Sequence, residues 1–381
     1  MNNYQPRILQ IEAELHQQLI GFNLNDVNVS FKTALEEYSA ALLTTLAALE
    51  SAIRQFHPPL LPQITAALLP FFDRFRSAAD RFAEHRVPDG QVALVVAQLK
   101  SAAEYTEQAI QIFSNPPDPQ KLFLQILRAM RRHNRAQESM FPLRHYLDPA
   151  SRYFLEPAIA DHKDWMEMIP ASGELSGLMT LSLFNESDDL YWVYIPDHFD
   201  KLEKIPLVVA LHGGGGSGRD FIWSWIREAR SRNFAVLAPT SIGRTWSFQQ
   251  ADDALKILSA IDLLSEDWNI DADNILLTGF SDGAIYALTC GLQKNTPYSA
   301  LAPISGVLHP IDLEFAVNRR IYLVHGRLDW MFKVEYAHQS HAVLKNAGAD
   351  IIFHEIEDLS HTYPREENSA ILRWFMPSLS S

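Results

Sequence analysis

A serine held between two glycines is the strongest nucleophile candidate in this sequence. Gly279-Phe280-Ser281-Asp282-Gly283 follows an apolar run at residues 275–278 and precedes a helical pattern at residues 284–292. This strand–turn–helix context projects a serine hydroxyl from a sharp turn, and the glycines let neighbouring backbone approach closely. The N-terminus of the helix also directs N–H groups and the positive end of its dipole at the reacting oxygen. We therefore predict that Ser281 attacks an acyl carbon.

A serine hydroxyl is a weak nucleophile, so it needs a base and a group that orients the base. His361 lies on the loop after the last predicted strand, and Asp329 lies on the loop after the strand before it. The histidine would remove the serine proton, while the carboxylate would fix the histidine tautomer and stabilise the imidazolium. We predict Ser281, Asp329 and His361 as the catalytic residues, in that chain order.

Two other readings of the acidic residues stay open. Asp329 could cap the helix that starts near Phe332, with His361 merely exposed. Asp358 is a rival acid, although its position three residues before His361 suits a local turn better.

A glycine-rich loop, His212 to Gly218, follows the predicted strand at residues 207–211. Acyl transfer develops a negative oxygen, which preorganised N–H donors stabilise. We predict that the amides of Gly214 and Asp282 form this oxyanion hole, and that His212 is structural.

Dinucleotide binding is the competing interpretation of the same loop, because its glycines also satisfy G-x-G-x-x-G after a strand. That motif requires an acidic residue near the end of the next strand. The next predicted strand, residues 234–237, instead ends in Ala238-Pro239-Thr240. The sequence therefore favours the oxyanion role.

Metal binding has weak support. Glu335, His338 and His341 could share one face of a helix, but a solvated face explains them better. The sequence has neither H-E-x-x-H nor paired cysteines, so we predict no metal.

The composition excludes several classes of protein. Of the 381 residues, 47% are hydrophobic and 20% are charged, which is typical of a folded chain. The net charge of −14 disfavours nucleic-acid binding, and it lies mostly beyond residue 160. We expect no signal peptide and no membrane span, since no apolar stretch is long enough. The single cysteine leans towards a reducing compartment, so we predict a cytoplasmic location.

The elements that position these residues fall into two halves. Residues 1–160 show helical stripes at 31–56, 64–82, 92–113 and from 118 onwards, with Pro70 a predicted kink. Residues 161–381 show eight short apolar runs. The first two form a predicted hairpin around residues 185–189, and the later runs alternate with helical patterns. Such alternation indicates a mostly parallel sheet covered by helices. We predict a helical bundle domain followed by an α/β domain.

Residues 205–376 resemble the phospholipase/carboxylesterase-type serine esterases of the α/β-hydrolase superfamily. The resemblance rests on LHGGGGSGRDF, GRTW at 243–246, GFSDGAIYAL, HGRLDWMF and DLSHTYP. It implies an α/β-hydrolase fold with an eight-stranded type of sheet, the triad predicted above and no cofactor. Two features depart from the family: the helical half, and Met331-Phe332 in place of a hydrophobic-proline pair after the acid.

The resulting expectation is a hydrolase that cleaves small carboxylic esters through an acyl-enzyme. A thioesterase or a peptidase would use the same triad, so the sequence does not separate them. Four aromatic residues beside the motifs would line an apolar pocket: Trp246, Tyr286, Trp330 and Tyr363.

The helical half has no assigned chemistry. We expect it to cover or flank the active site, and the rival is a homodimer formed through its apolar stripes. A third possibility is an interaction protein in which the helical half binds a partner.

Overall fold

The computed structural model describes residues 7–115, 121–160, 176–182, 190–197, 199–200, 202–248 and 251–379. The chain divides into two compact units. The helical unit is Glu12–Ala171, and the sheet unit combines Met1–Ile11 with Ser172–Ser381. This division differs from the predicted one in two ways: the boundary lies after Ala171 instead of residue 160, and the residues before Glu12 belong to the sheet unit.

The helical unit contains the predicted long helices. The described helices are α1 (Ala13–Gln18), α2 (Val29–Arg54), α3 (Leu61–Ala83), α4 (Gln91–Ser114), α5 (Leu122–Met140) and α6 (Asp148–Tyr153). Helix α2 packs on α3, and α4 packs on α5. Helix α3 continues through Pro70, which lies on its exposed side. The apolar stripes of these helices form the core, where Leu35, Leu99 and Phe113 are fully buried.

The sheet unit contains nine strands among the described residues. They are β1 (Arg7–Gln10), β2 (Gly177–Ser182), β3 (Leu190–Ile195), β4 (Ile205–Leu211), β5 (Ala235–Ala238), β6 (Ile270–Phe280), β7 (Ala300–Ile304), β8 (Arg320–Gly326) and β9 (Asp350–Ile356). Their order across the sheet is β1-β2-β3-β5-β4-β6-β7-β8-β9. The pairs β1–β2, β2–β3 and β3–β5 are antiparallel, and all other pairs are parallel. The predicted fold class is confirmed.

Strand β1 was not predicted. It pairs with β2 in the register Arg7↔Ser182 to Gln10↔Met179, at the edge of the sheet. Four residues are too few to show a two-residue alternation, so the sequence placed them in the helical half. The predicted hairpin turn at residues 185–189 lies outside the described residues.

Six helices of the sheet unit are described: α7 (Gly218–Phe221), α8 (Ile226–Arg232), α9 (Asp252–Asp267), α10 (Asp282–Gly291), α11 (Val334–Asn346) and α12 (Asn368–Phe375). A 3₁₀ turn at Ile222–Ser224 separates α7 from α8. Every residue of β4 is buried, as expected for a strand covered on both faces.

The predicted site residues follow β4, β6, β8 and β9. These four strands are mutually parallel, so the loops after them meet at one edge of the sheet. The topology therefore places the candidate residues together. None of the helices in the described ranges has both the length and the apolar composition needed to cross a bilayer.

Candidate active site

Ser281 lies in the turn between β6 and α10 with φ 56° and ψ −120°. A positive φ is strained for a residue with a side chain, and the flanking glycines explain why the turn still forms. A Cβ on Gly279 would lie 2.4 Å from the carbonyl of Gly283, and a Cβ on Gly283 would lie 2.3 Å from the carbonyl oxygen of Leu211. Only glycine at both positions lets α10 pack this closely on β6 and β4.

The loops after β8 and β9 bring the predicted base and acid to the serine. His361 Nε2 lies 3.0 Å from Ser281 Oγ, and His361 Nδ1 lies 2.7 Å from Asp329 Oδ2. All three side chains are buried. With Nδ1–H donating to the carboxylate, Nε2 is left to accept the serine proton.

Both oxygens of the Asp329 carboxylate are engaged. Oδ2 faces His361, and Oδ1 accepts from the amides of Met331, at 2.9 Å, and Phe332, at 2.8 Å. These amides precede α11, so the carboxylate organises its own loop as well as the imidazole. The rival acid, Asp358, has an exposed side chain.

A second histidine, His325, lies beside the acid and is fully buried. Its Nε2 is 2.7 Å from the carbonyl oxygen of Phe332 and 3.5 Å from Asp329 Oδ2. Burial lowers the pKa of His325, which keeps the ring neutral at pH 7. His325 is therefore a buried, neutral core residue at the end of β8.

His212 is fixed at the start of the glycine-rich loop. Its Nδ1 donates to the carbonyl of Gly213, at 2.7 Å, and its Nε2 accepts from the amide of Ser241, at 3.0 Å. Burial lowers its pKa, so the ring is a neutral donor and acceptor in a structural role.

The two predicted oxyanion donors flank the elbow. In the described part of the chain, the amides of Gly214 and Asp282 donate to no protein acceptor. A Cβ on Gly213 would lie 3.4 Å from Ser281 Cβ, so the glycine-rich loop passes directly beside the serine. The glycine-rich loop and the elbow are therefore close neighbours, as the predicted oxyanion hole requires.

The loop between β5 and α9 holds the glycine-rich loop in place, which the sequence did not predict. The carbonyl of Arg244 accepts from the Gly215 amide, at 2.7 Å, and Trp246 Nε1 donates to the carbonyl of His212, at 2.7 Å. Thr245 Oγ1 donates to Asp282 Oδ2, at 2.6 Å.

A buried carboxylate organises that loop in turn. Asp253, at the start of α9, accepts from the amides of Ile242, at 2.9 Å, and Ser247, at 2.8 Å. The string GRTW was visible in the sequence, but nothing there indicated its bonding partners.

The four aromatic residues predicted to line a pocket separate into two pairs. Trp246 and Tyr286 stack with ring centroids 5.2 Å apart and belong to the buried core, so they support the glycine-rich loop from below. Burial raises the pKa of the Tyr286 hydroxyl. Trp330, by contrast, is 40% exposed, and its ring centroid lies 6.3 Å from that of His361.

Tyr363 is anchored through its hydroxyl, which donates to Asn368 Oδ1 at 2.8 Å, and burial raises its pKa. Two aromatic neighbours of His361 were not predicted. The rings of Phe280, at 5.1 Å, and Phe332, at 5.5 Å, pack around the imidazole. The position of Phe280 directly before the nucleophile does not reveal in the sequence that its ring packs on His361.

One group of metal-ligand types converges among the described residues. Donor atoms of Glu12, His16 and His145 in the helical unit lie within 4.8 Å of one another. The guanidinium of Arg144 already pairs with the Glu12 carboxylate and neutralises its charge. The set considered from sequence, Glu335, His338 and His341, is not such a group: His338 pairs with Glu355 at 2.9 Å.

Comparison with known proteins gives consistent matches. A model of the phospholipase/carboxylesterase family matches residues 245–376. The bifunctional acetylxylan esterase/xylanase of Neocallimastix patriciarum is 28% identical over 184 residues, 46% of this chain and 26% of that protein. Acyl-protein thioesterase 1 of Mycosarcoma maydis is 31% identical over 108 residues, 26% of this chain and 43% of that protein. The match thus spans less than half the length of each relative.

Among solved structures, the crystal structure of esterase PE8 is 25% identical, with a TM-score of 0.41, and the match covers 48% of this chain and 97% of that one. The family match falls on the loops that carry Thr245, Ser281, Asp329 and His361. Residues 245–376 of the sheet unit are therefore similar to the phospholipase/carboxylesterase family, and the unit has an α/β-hydrolase fold.

Proposed function

We propose that this protein is a serine hydrolase that cleaves carboxylic esters through an acyl-enzyme. The observation that carries the proposal is the hydrogen-bonded series from Ser281 Oγ to His361 Nε2, at 3.0 Å, and from His361 Nδ1 to Asp329 Oδ2, at 2.7 Å. The family match supports the same class of reaction.

In the first half-reaction, Ser281 Oγ attacks the ester carbonyl carbon while His361 Nε2 takes the hydroxyl proton. The carbonyl oxygen becomes an oxyanion, which accepts hydrogen bonds from the amides of Gly214 and Asp282. Asp329 stabilises the imidazolium. When the tetrahedral intermediate collapses, the alkoxide leaves with the proton from His361, and the acyl group remains on Ser281.

In the second half-reaction, a water molecule attacks the acyl-enzyme carbonyl and gives its proton to His361. A second oxyanion forms at the same amides. Its collapse returns the proton to Ser281 Oγ and releases the carboxylic acid. The histidine is therefore a base and then an acid in each half-reaction, and the chain's own residues supply every proton transfer.

The surface beside His361 favours an apolar acyl or aryl group of modest size. Leu328, Trp330 and Met331 are 41%, 40% and 37% exposed, and all three lie on the loop that carries Asp329. Exposed apolar side chains beside a reacting centre gain contact area when an apolar group covers them.

A thioester is the second candidate substrate, and the thioesterase relative favours testing it. The acyl-enzyme is the same for an oxygen ester and a thioester, so only relative rates distinguish them. A cytoplasmic location stays a prediction from the single cysteine.

The test of the proposal is covalent labelling with a fluorophosphonate, followed by peptide mass spectrometry. The expected adduct is on Ser281, and Ser281→Ala should abolish it and lower kcat by several orders of magnitude. Ser265→Ala, which removes the hydroxyl of an exposed residue on α9, is the control and should keep labelling. An adduct on another serine would overturn the assignment.

Substrate class is tested with p-nitrophenyl esters and matching thioesters of increasing acyl length. We expect kcat/KM to be highest for short or aromatic acyl groups, and Trp330→Ala to reduce this preference. Equal kcat/KM across the panel would contradict a role of the Trp330 surface.

A further inference from the structure

The side chain of Asp282 contacts the other half of the proposed oxyanion hole. A Cβ placed on Gly214 would lie 2.5 Å from Asp282 Oδ2, so this oxygen lies against the Gly214 backbone. The two residues whose amides are proposed to bind the oxyanion are thus in contact through the Asp282 carboxylate. Any side chain at residue 214 would therefore displace either the Asp282 carboxylate or the Gly214 backbone.

A second contact fixes the carboxylate. Thr245 Oγ1 donates to Asp282 Oδ2 at 2.6 Å, and the same hydroxyl would lie 3.8 Å from a Cβ on Gly214. A hydrogen bond to an ionised acceptor is shorter and stronger than one between neutral groups. A β-branched side chain such as threonine is also stiff at χ1, so the hydroxyl is held in one direction.

The loop that carries Thr245 is itself held firmly. Asp253 accepts from the amides of Ile242 and Ser247, on either side of Thr245. The adjacent residues, Arg244 and Trp246, bond to the glycine-rich loop. Thr245 is therefore held in place by its loop, and its hydroxyl group in turn holds the Asp282 side chain.

We propose that Thr245 and Asp282 form a positioning pair that sets the distance between the Gly214 amide and the nucleophile elbow. Thr245 acts through the Asp282 carboxylate on Gly214, so it is a positioning residue. This inference rests on the proposed function, because it assigns the pair to the oxyanion hole of that reaction.

The pair should affect the transition state more than substrate binding. The oxyanion exists only after attack, so a displaced amide weakens an interaction that the ground state lacks. Losing one oxyanion donor costs about 10²–10³ in kcat, and a misplacement of about 1 Å costs about 10²-fold. We therefore expect Thr245→Val, which keeps the shape and removes the hydroxyl, to lower kcat about 10- to 100-fold with KM changed less than about threefold.

The experiment uses the full chain with p-nitrophenyl acetate as substrate and phenylboronic acid as inhibitor. The boronic acid forms a tetrahedral anionic adduct on the serine, so its inhibition constant reports on the oxyanion hole separately from turnover. Thr245→Val should weaken boronate binding in parallel with the loss of kcat. Thr245→Ser should restore both, because it returns the hydroxyl.

Thr289→Val is the matched control. Thr289 lies on α10, and its hydroxyl donates to a carbonyl of its own helix, that of Ile285, at 2.9 Å. It should keep wild-type kcat and boronate affinity. If Thr245→Val does not fold, Thr245→Ala, which only removes atoms, gives the same comparison.

A double-mutant cycle tests the link between the two residues. After Asp282→Ala, the further change Thr245→Val should have little effect, because the hydrogen bond is already gone. If the two substitutions lowered kcat independently of each other, the proposed pair would be overturned. The pair would also be overturned if the wild type is active and Thr245→Val keeps its kcat and boronate affinity. A loss of kcat and boronate affinity in Thr245→Val that Thr245→Ser does not restore would overturn it as well. A wild type that neither hydrolyses esters nor reacts with the fluorophosphonate would overturn the proposed function, and the pair with it.

Discussion

At the scale of single residues, the orientation of the His361 ring depends on the Asp329 carboxylate. Asp329→Asn should keep the shape of the site but present an amide to His361 Nδ1. The amide favours the imidazole tautomer that has its proton on Nε2, where it cannot accept the proton of Ser281. We expect kcat to fall by about 10⁴, as measured by steady-state hydrolysis of p-nitrophenyl acetate.

Asp358→Asn is the control for this change, because Asp358 is the nearby alternative acid. Its side chain is exposed, so we expect kcat within about threefold of wild type, as for most surface changes. If Asp358→Asn were the more damaging substitution, the acid of the triad would be misassigned.

His212 makes the glycine-rich loop sensitive to acid. Its pKa is lowered by burial in the folded chain, so the unfolded chain binds this proton more readily. The His212 contribution to stability is therefore complete above the unfolded pKa of about 6.5 and is lost progressively as the pH falls below it. Protonation of Nε2 would also remove the acceptor of the Ser241 amide.

Denaturant unfolding from pH 8 to pH 5 measures this effect. We expect the free energy of unfolding to fall below pH 6.5, and to fall less steeply in His212→Asn. His325, whose pKa is also lowered, remains in both proteins, so the difference between the two slopes isolates His212. An equal pH dependence of the free energy of unfolding in both proteins would show that protonation of His212 does not affect stability.

The sequence located the residues that follow strands, since a strand end, a glycine turn and a helix start all leave local patterns. Ser281, Asp329 and His361 were found in this way, and the structure brings them together. Thr245 and Asp253 left no such pattern. Their roles depend on partners that chain topology, not local spacing, brings near, such as Asp282 for Thr245.

The pocket prediction had a similar limit. Trp246 and Tyr286 lie next to motif residues in the chain, but the sequence does not tell which side of the loop a ring occupies. Both rings pack into the core, while Trp330 reaches the surface. Adjacency to a motif predicts that a residue is near the site, without predicting that it faces the substrate.

At the scale of elements, the packing of α10 on the sheet depends on Gly283. A Cβ there would lie 2.3 Å from the carbonyl oxygen of Leu211 and 2.6 Å from that of His212. We expect Gly283→Ala to push α10 away from β4 and to destabilise the fold by about 1–3 kcal/mol or more, as overpacking does. Thermal unfolding and p-nitrophenyl acetate hydrolysis measure the two consequences.

Thr289→Ala on the same helix is the comparison for Gly283→Ala. It also concerns a residue of α10, but it removes atoms instead of adding them, and the side chain is only partly buried. We expect a small shift in the unfolding temperature and unchanged activity. A Gly283→Ala variant as stable as wild type would mean that α10 and β4 can separate without cost.

The long elements were predictable because their periodicity is sustained. The stripe at 31–56 appears as α2, and the apolar run at 207–211 lies within β4. The elements that differ are short. The 3₁₀ turn at Ile222–Ser224 divides a region whose apolar spacing still suits one helix, because tertiary contacts override a local preference in so few residues.

At the scale of the whole molecule, the helical unit joins two neighbouring strands of one sheet. The chain leaves β1 after Gln10 and returns in β2, where the Ile11 amide donates to the Leu178 carbonyl at 3.0 Å. An antiparallel pair that ends in this way can be closed by a two-residue turn such as Asn-Gly. The whole segment between Ile11 and Leu178 could thus be replaced by that turn.

We expect the shortened chain to fold, and a fluorophosphonate to label its Ser281. A chain that begins at residue 161 is the comparison. It lacks β1, so β2 becomes an open sheet edge, and we expect more aggregation in sedimentation. If the turn variant aggregated as much as the truncated chain, the β1–β2 hairpin would not be sufficient to complete the sheet.

The position of β1 also constrains the order of events during synthesis. The strand emerges from the ribosome before the helical unit, yet its partner β2 is made only afterwards. At about 5–20 residues per second, this delay is on the order of ten seconds. During that time the helical unit can fold alone, whereas β1 must wait without its hydrogen-bonding neighbour. Strand β1 thus cannot pair with β2 until the whole helical unit has been synthesised.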